Sequence, residues 1–245
     1  MSQISKESAL QHVQSGALSR GLGLVTTGMR MSACLGSYSL ESLFTFGAQR
    51  QERRRRMLTE QARLLVDELG RLKGSVMKIG QLLALYGDYF LLPPEVVEVL
   101  RTLQSDSPPL AWSALEPVLR TELGEERLAE LEVMPESLAA ASLGQVHRAR
   151  RKRDGRELCI KIQYPGIAEA VDSDLNTVGT MLMFSRMLPA GFNLQELLAE
   201  VRGMLRQEVD YRQELASVQR FRELLAGDDR YRVPEPFPEY STQRV

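Results

Sequence analysis

Residues 139–166 read AAASLGQVHRARRKRDGRELCIKIQYPG, and they limit what this chain can fold into more than any other stretch. Helical spacing dominates elsewhere, but from Ser142 to Ile162 it gives way to a hairpin pattern. A β-prone run around Val146 leads to a charged turn at 151–155 and then to Leu158 through Ile162. Asp154-Gly155 is a tight-turn signal, because such turns need positive φ. Strands are expected from about Val133, and helices resume after Gly166, over 167–188 and 194–225. The fold class is therefore α+β.

Upstream of the hairpin the pattern is helical. Residues 16–48 are rich in small and apolar side chains with Arg20 and Arg30 interrupting. They read either as a membrane-surface or helix-pairing face or as a loosely packed lead-in, the simpler account. Arg53 to Arg56 point around the whole helix that carries them, and with Glu52 and Glu60 close by they read as a solvated face rather than a lipid or nucleic-acid patch. Leu72, Val76, Ile79, Leu82 and Leu83 recur at helical spacing, and Pro93-Pro94 opens a further helix. Within that pattern Lys78, Gly80 and Gln81 form a polar group. Glycine costs about 1 kcal/mol in a helix interior, so Gly80 suggests close approach of another backbone, although a surface lysine beside a tolerated glycine explains the same letters. Pro108-Pro109 marks a boundary, followed by two short helices separated by Gly124.

A chain of 245 residues with 31 Lys and Arg against 32 Asp and Glu has a net charge of -1. It offers nucleic acid no global attraction, and any basic contact must be local. Cys34 and Cys159 lie too far apart in sequence for metal-ligand spacing and fit a reducing compartment. No run of about 18 apolar residues suggests a membrane span, and a cytoplasmic location is the default expectation.

Lys161 stands between Ile160 and Ile162, so strand alternation sends its side chain to the face opposite two isoleucines. If that ammonium is buried it requires a carboxylate. The expected partner is Glu214 on the long helix over 194–225, with Asp210 about 40° away on the same face at about 100° per residue, heading an apolar stripe through Val218, Phe221 and Leu225. Pairing of those acids with Arg206 and Arg212 is the competing account. Glu208 lies well round the helix from Asp210.

The loop before the lysine fits the pattern G-x-G-x-x-G-x-V with Ala139 and Ala141 in place of two glycines, then Gly144 and Val146. Alanine's Cβ restricts positive φ, so this loop cannot take every shape that glycine allows. Taken with K-x-G-Q at Lys78 to Gln81, AAAS at Ala139, Ala140, Ala141 and Ser142 leading into GQVH, the lysine in KIQYPG, and E-x-D at Glu208 and Asp210, the chain resembles the UbiB/AarF family of atypical kinase-like proteins, the group linked to coenzyme Q biosynthesis. The resemblance runs from about residue 70 to the end.

By composition residues 1–50 are expected to form an amphipathic or flexible segment, and the resemblance implies a helical K-x-G-Q extension over 51–132 and, over 133–245, the first lobe of a protein-kinase-like fold with inserted helices. The second lobe, with its catalytic-loop Asp and Asn and its metal-binding Asp, is expected to be absent from this chain, so no metal ligands are expected here. The resemblance further implies ATP or ADP with magnesium as cofactor, bound by Ala139 to Ser142, Gly144, Val146 and Lys161, with Lys161 and Glu214 in the catalytic roles. Lys78, Gly80 and Gln81 would lie across the pocket with Glu208 and Asp210 and block protein phosphorylation. Implied partners are a nucleotide, a membrane surface at which the protein sits peripherally on the inner face, and quinone-pathway lipids and proteins. A non-catalytic helical interaction or membrane-surface module with an incomplete nucleotide site is the alternative.

Overall fold

The computed structural model describes residues 47–72, 75–103, 109–185, 187–188 and 191–245, together with Arg30. Most of the 16–48 segment lies outside the described residues. The helices are α1 (Ala48–Leu72), α2 (Ser75–Leu85), α3 (Pro94–Leu100), α4 (Trp112–Ala129), α5 (Ile167–Ser185), α6 (Leu194–Glu208) and α7 (Tyr211–Leu224). The strands are β1 (Leu131–Ala140), β2 (Gly144–Arg151) and β3 (Glu157–Gln163), with a 3-10 turn at Pro238–Tyr240. Two compact units divide the chain, one within Gln14–Ser105 and Glu169–Leu205, the other within Asp106–Ala168 and Arg206–Val245.

In the helical unit, α1 packs on α2 and α3, and α2 packs on α3. Val76, Ile79, Leu82 and Leu83 are buried, as their spacing requires, together with Leu65, Leu69 and Leu100. Pro94 occupies the first turn of α3, where a missing N–H costs nothing. A Cβ on Gly80 would stand 2.3 Å from Leu103 Cδ1 and 3.0 Å from Leu69 Cδ1. What approaches Gly80 is therefore a pair of leucine side chains, not another backbone. Arg54, Arg55 and Arg56 are exposed, with Arg56 3.0 Å from Glu52 and Arg55 3.1 Å from Glu95, the solvated face that the flanking acids suggested. Ser75 Oγ, at the first turn of α2, donates to the buried carboxylate of Asp174 on α5.

In the sheet unit the strands form an antiparallel meander in the order β1-β2-β3. Pro135 lies in β1 between Val133, paired with Ala149, and Ser137, paired with His147, and the register shifts there. A proline has no N–H for the ladder, so a bulge at this point follows from the sequence. Gly155 takes φ 69° in the turn that joins β2 to β3, as the Asp-Gly pair suggested. Packing of α4 against β1 and β3 covers one face of the sheet, where Gln145, His147, Ala149, Ile160 and Ile162 are buried. The polar members of that face satisfy one another. Leu110 N–H donates to Gln145 Oε1 at 2.9 Å, Gln145 Nε2 lies 2.9 Å from His147 Nε2, and His147 Nδ1 lies 2.8 Å from Met134 O. Since Met134 O can only accept, Nδ1 carries the proton and Nε2 accepts from the glutamine.

The C-terminal segment docks on this unit through Arg244 to Glu122 at 2.8 Å, Thr242 to Glu122 at 2.6 Å and Tyr240 to Glu130 at 2.5 Å. Its last residues do not extend as a strand. Thr242 N–H donates to Val245 O at 2.8 Å, closing a turn, and only Arg244 O receives a bond from the β3 end, Gln163 N–H at 2.9 Å.

The single helix expected over 194–225 is two helices. Gln163 Nε2 donates to Val209 O at 2.8 Å and Tyr211 N–H donates to Gln243 O at 3.0 Å, so backbone groups at the break are satisfied from outside the helix. Asp210 is consequently the N-cap of α7, with its side chain accepting from Arg212 N–H, and not a second inward acid on a continuous stripe. Phe221, expected on the buried face, is 59% exposed.

Candidate functional site

The sheet registers Ala139 with Val146 and Val146 with Lys161. Residues directly opposite across a ladder share a face, so these three stand in one row on the face away from α4. Ala139 and Ala140 are exposed, Ala141, Ser142, Val146 and Lys161 are part-buried, and Gly144 is buried. Ala141 N–H donates to Gly144 O at 2.8 Å, closing the turn between β1 and β2. Among the described residues the only non-glycine with positive φ is Leu91. Alanine at 139 and 141 is therefore unstrained in this conformation. Gly144 is constrained differently: its Cβ would lie 2.5 Å from Ile162 O, 2.8 Å from the Tyr211 hydroxyl and 3.2 Å from Gln163 Cα.

Lys161 Nζ donates to Glu214 Oε2 at 2.6 Å. The sequence brought these two residues together by chemistry, and the fold brings them together across 53 positions. The environment differs from the buried ammonium expected, since the side chains are 38% and 54% exposed. A pair this open contributes about 0.2–1 kcal/mol, so it orders the lysine more than it stabilises the fold. Asp210 instead pairs with Arg212 Nε at 3.1 Å, as the competing account of the acids held. Glu208 is exposed at the end of α6. Lys78 and Gln81, both part-buried, lie with Gly80 on α2 in the helical unit.

A cavity of about 300 Å³ opens beside the ion pair, between β3, α7 and the C-terminal segment, with Cys159, Lys161, Glu214, Val218, Phe237 and Val245 in its walls. The lining is mostly apolar, with Lys161, Glu214 and Glu235 as its charged members, a composition common to small-molecule sites. Phe237 is held in that wall by guanidinium groups, Arg151 at 5.1 Å and Arg156 at 4.9 Å. Among the described residues no group of three or more His, Cys, Asp or Glu is placed to hold a metal ion.

Sequence reasoning missed Tyr211, which also lines the cavity. Its ring lies under Lys161 Nζ at 4.5 Å from the centroid. Burial, with Glu214, Glu208 and Tyr164 nearby, pushes its phenol well above the usual tyrosine range. The available signal was its position three residues before Glu214, one helical turn away.

With this geometry in view, comparison with known proteins identifies relatives. The ABC1 atypical kinase-like domain matches residues 102–245. The mitochondrial atypical kinase COQ8 of Saccharomyces cerevisiae is 37% identical over 184 residues, covering 74% of this chain and 36% of that protein. The mitochondrial atypical kinase COQ8B of Rattus norvegicus is 36% identical over 250 residues, covering 99% of this chain and 46% of that protein. The probable protein kinase UbiB of Aeromonas salmonicida is 32% identical over 189 residues, covering 75% and 33% respectively. The chain thus spans less than half the length of these curated relatives. Among the described residues no helix is long and apolar enough to cross a membrane.

Proposed function

Because the chain belongs to the ABC1 atypical kinase-like family, the group of the COQ8 and UbiB proteins, we propose that it is the nucleotide-binding portion of a UbiB-type atypical kinase or ATPase that supports ubiquinone or isoprenoid-quinone lipid metabolism. The observation that carries this reading is the Lys161–Glu214 pair at 2.6 Å, in register with Val146 and Ala139 of the preceding loop and opening on an apolar cavity. In this reading Lys161 binds the phosphates of ATP or ADP, Glu214 orients the lysine, and the hairpin turn from Ala139 to Gly144 covers the nucleotide.

A bound nucleotide would supply a transferable phosphoryl group. The described residues bind and orient it and move no proton. Protein-kinase activity is proposed to be blocked by the helix that carries Lys78, Gly80 and Gln81 and by the alanine-rich loop. A cytoplasmic location, peripheral at the inner face of a membrane, completes the reading.

Calorimetric titration of ATP and ADP, with and without magnesium, tests it. Lys161→Ala should weaken nucleotide binding about 10- to 100-fold, the worth of a charge-assisted hydrogen bond. Ala139→Gly should change the ATP-to-ADP preference. Equal affinities in wild type and Lys161→Ala would sink the nucleotide reading.

An interaction module is the second reading, favoured by one observation: Leu85, Tyr89 and Leu91 are each more than 70% exposed at one end of the helical unit. That reading expects Lys161→Ala to retain function in cells and a Tyr89→Ser/Leu91→Ser double variant to lose it.

A further inference from the structure

We propose that Tyr211 is a positioning residue of this site, a single side chain that steadies the Lys161 ammonium over Glu214 with its ring and braces the loop turn at Gly144 with its hydroxyl. Its consequence for ligand binding rests on the nucleotide reading above, but its geometry does not.

Three observations converge on this residue. The Lys161 ammonium lies 4.5 Å from the ring centroid, inside the range of about 6 Å over which a ring face attracts a cation. The same ammonium donates to Glu214 at 2.6 Å, and Tyr211 and Glu214 stand one turn apart on α7, so one helix face presents both restraints. At the far end of the ring the hydroxyl occupies the space that any side chain at position 144 would need, 2.8 Å from where that Cβ would stand.

Tyr211 itself is held firmly. It is 6% exposed, and its backbone N–H is bonded to Gln243 O at 3.0 Å. Its hydroxyl has no hydrogen-bond partner among the described residues and fills the space beside Gly144. Lys161, by contrast, has a flexible four-carbon stem on a half-open face. A carboxylate fixes the ammonium in distance but leaves it free to swing, and the ring beneath removes that freedom. The lysine and the loop turn are thereby set by one rigid group.

The test reads the lysine directly and needs no nucleotide. Acylation of the folded chain with a water-soluble amine reagent, quantified at Lys161 by peptide mass spectrometry, should run about two- to fivefold faster in Tyr211→Leu than in wild type, the population shift that a cation–π contact at a partly exposed site is worth. Tyr211→Phe keeps the ring and should label at the wild-type rate. An unchanged rate in a folded Tyr211→Leu overturns the proposal.

A second measurement uses wild type alone, in case the leucine variant does not fold. The Lys161 ε-methylene protons, assigned by their loss in Lys161→Arg, should appear upfield of other lysines through the ring current. Resonance at the ordinary lysine position overturns the proposal. If nucleotides fail to bind while both lysine readouts behave as expected, the positioning role stands and the nucleotide reading falls. Flat lysine readouts beside normal nucleotide binding mean the reverse.

Discussion

Where a Cβ on Gly144 would stand, two of the three nearest atoms are backbone, Ile162 O at 2.5 Å and Gln163 Cα at 3.2 Å. At Gly80 both of the near atoms are the far ends of leucine side chains, Leu103 Cδ1 at 2.3 Å and Leu69 Cδ1 at 3.0 Å. Backbone in a paired sheet cannot step aside, whereas a leucine can change rotamer. Gly144→Ala should therefore lower stability by about 1–3 kcal/mol, the usual cost of overpacking. Adding Tyr211→Phe should not restore it, since Ile162 O remains. Gly80→Ala should stay within about 1 kcal/mol of wild type, because repacking is offset by the gain of about 1 kcal/mol in helix propensity. Urea denaturation of the three variants checks the order, and Gly80→Ala proving the worse would contradict it. Neither difference was legible in the letters. In the sequence Gly144 stood only as the retained glycine of the loop pattern, and Gly80 suggested a backbone beside it, where leucine side chains stand.

At the scale of elements, the part-buried hairpin and its cover depend on polar groups that satisfy one another. Gln145→Leu would strip partners from Leu110 N–H and from His147 Nε2, both served by the same amide. A buried polar group left unsatisfied costs about 1–3 kcal/mol, and a melting curve should show a loss of that order, where a null effect would mean that the network carries no weight.

The β2–β3 turn carries a pH signature. Hydrogen bonding from Arg151 holds the Asp154 carboxyl at about 2, below its ordinary 3.8. A depressed folded value means that the stabilisation is complete above pH 3.8 and fades as pH falls towards 2. Melting temperatures between pH 5 and pH 2 should fall less steeply for Asp154→Asn than for wild type. Equal slopes would show that the turn contributes nothing.

Element boundaries show why sequence reading succeeded in one place and failed in another. The Asp-Gly turn, the period-two burial of Ile160 and Ile162, and the helix start at Pro94 all arise from residues adjacent in the chain. The break between α6 and α7 does not. Its freed backbone groups are met by Gln163 and Gln243, each remote in sequence.

Across the whole molecule, burial separates the tyrosines of the described residues: Tyr164, Tyr211 and Tyr240 are buried, and Tyr86, Tyr89 and Tyr231 are exposed. Desolvation pushes Tyr164 up to about 12 and pushes Tyr211 higher still, with Glu214 adding to it. The hydrogen bond to Glu130 raises Tyr240. A raised folded value favours the neutral form, so the stability tied to Tyr164 is complete below pH 10 and is lost as pH rises through about 12. Spectrophotometric titration should therefore show three tyrosines ionising late, together with unfolding. All of them ionising in one step near 10 would overturn the assignment of these side chains to the interior.

Periodicity, turn chemistry and the spacing of charges were enough to specify an α+β chain with a lysine-bearing hairpin and an acid partner for that lysine at Glu214, while the order of short motifs carried the resemblance to the family. These features depend on residues a few positions apart, or on chemical types that can be matched without distances. The half-open setting of the ion pair, the ring of Tyr211 beneath it, the crowding at Gly144 and the break before α7 were decided by packing between segments distant in the chain. Local pattern says which way a side chain points, but only the assembled neighbours determine what it meets there.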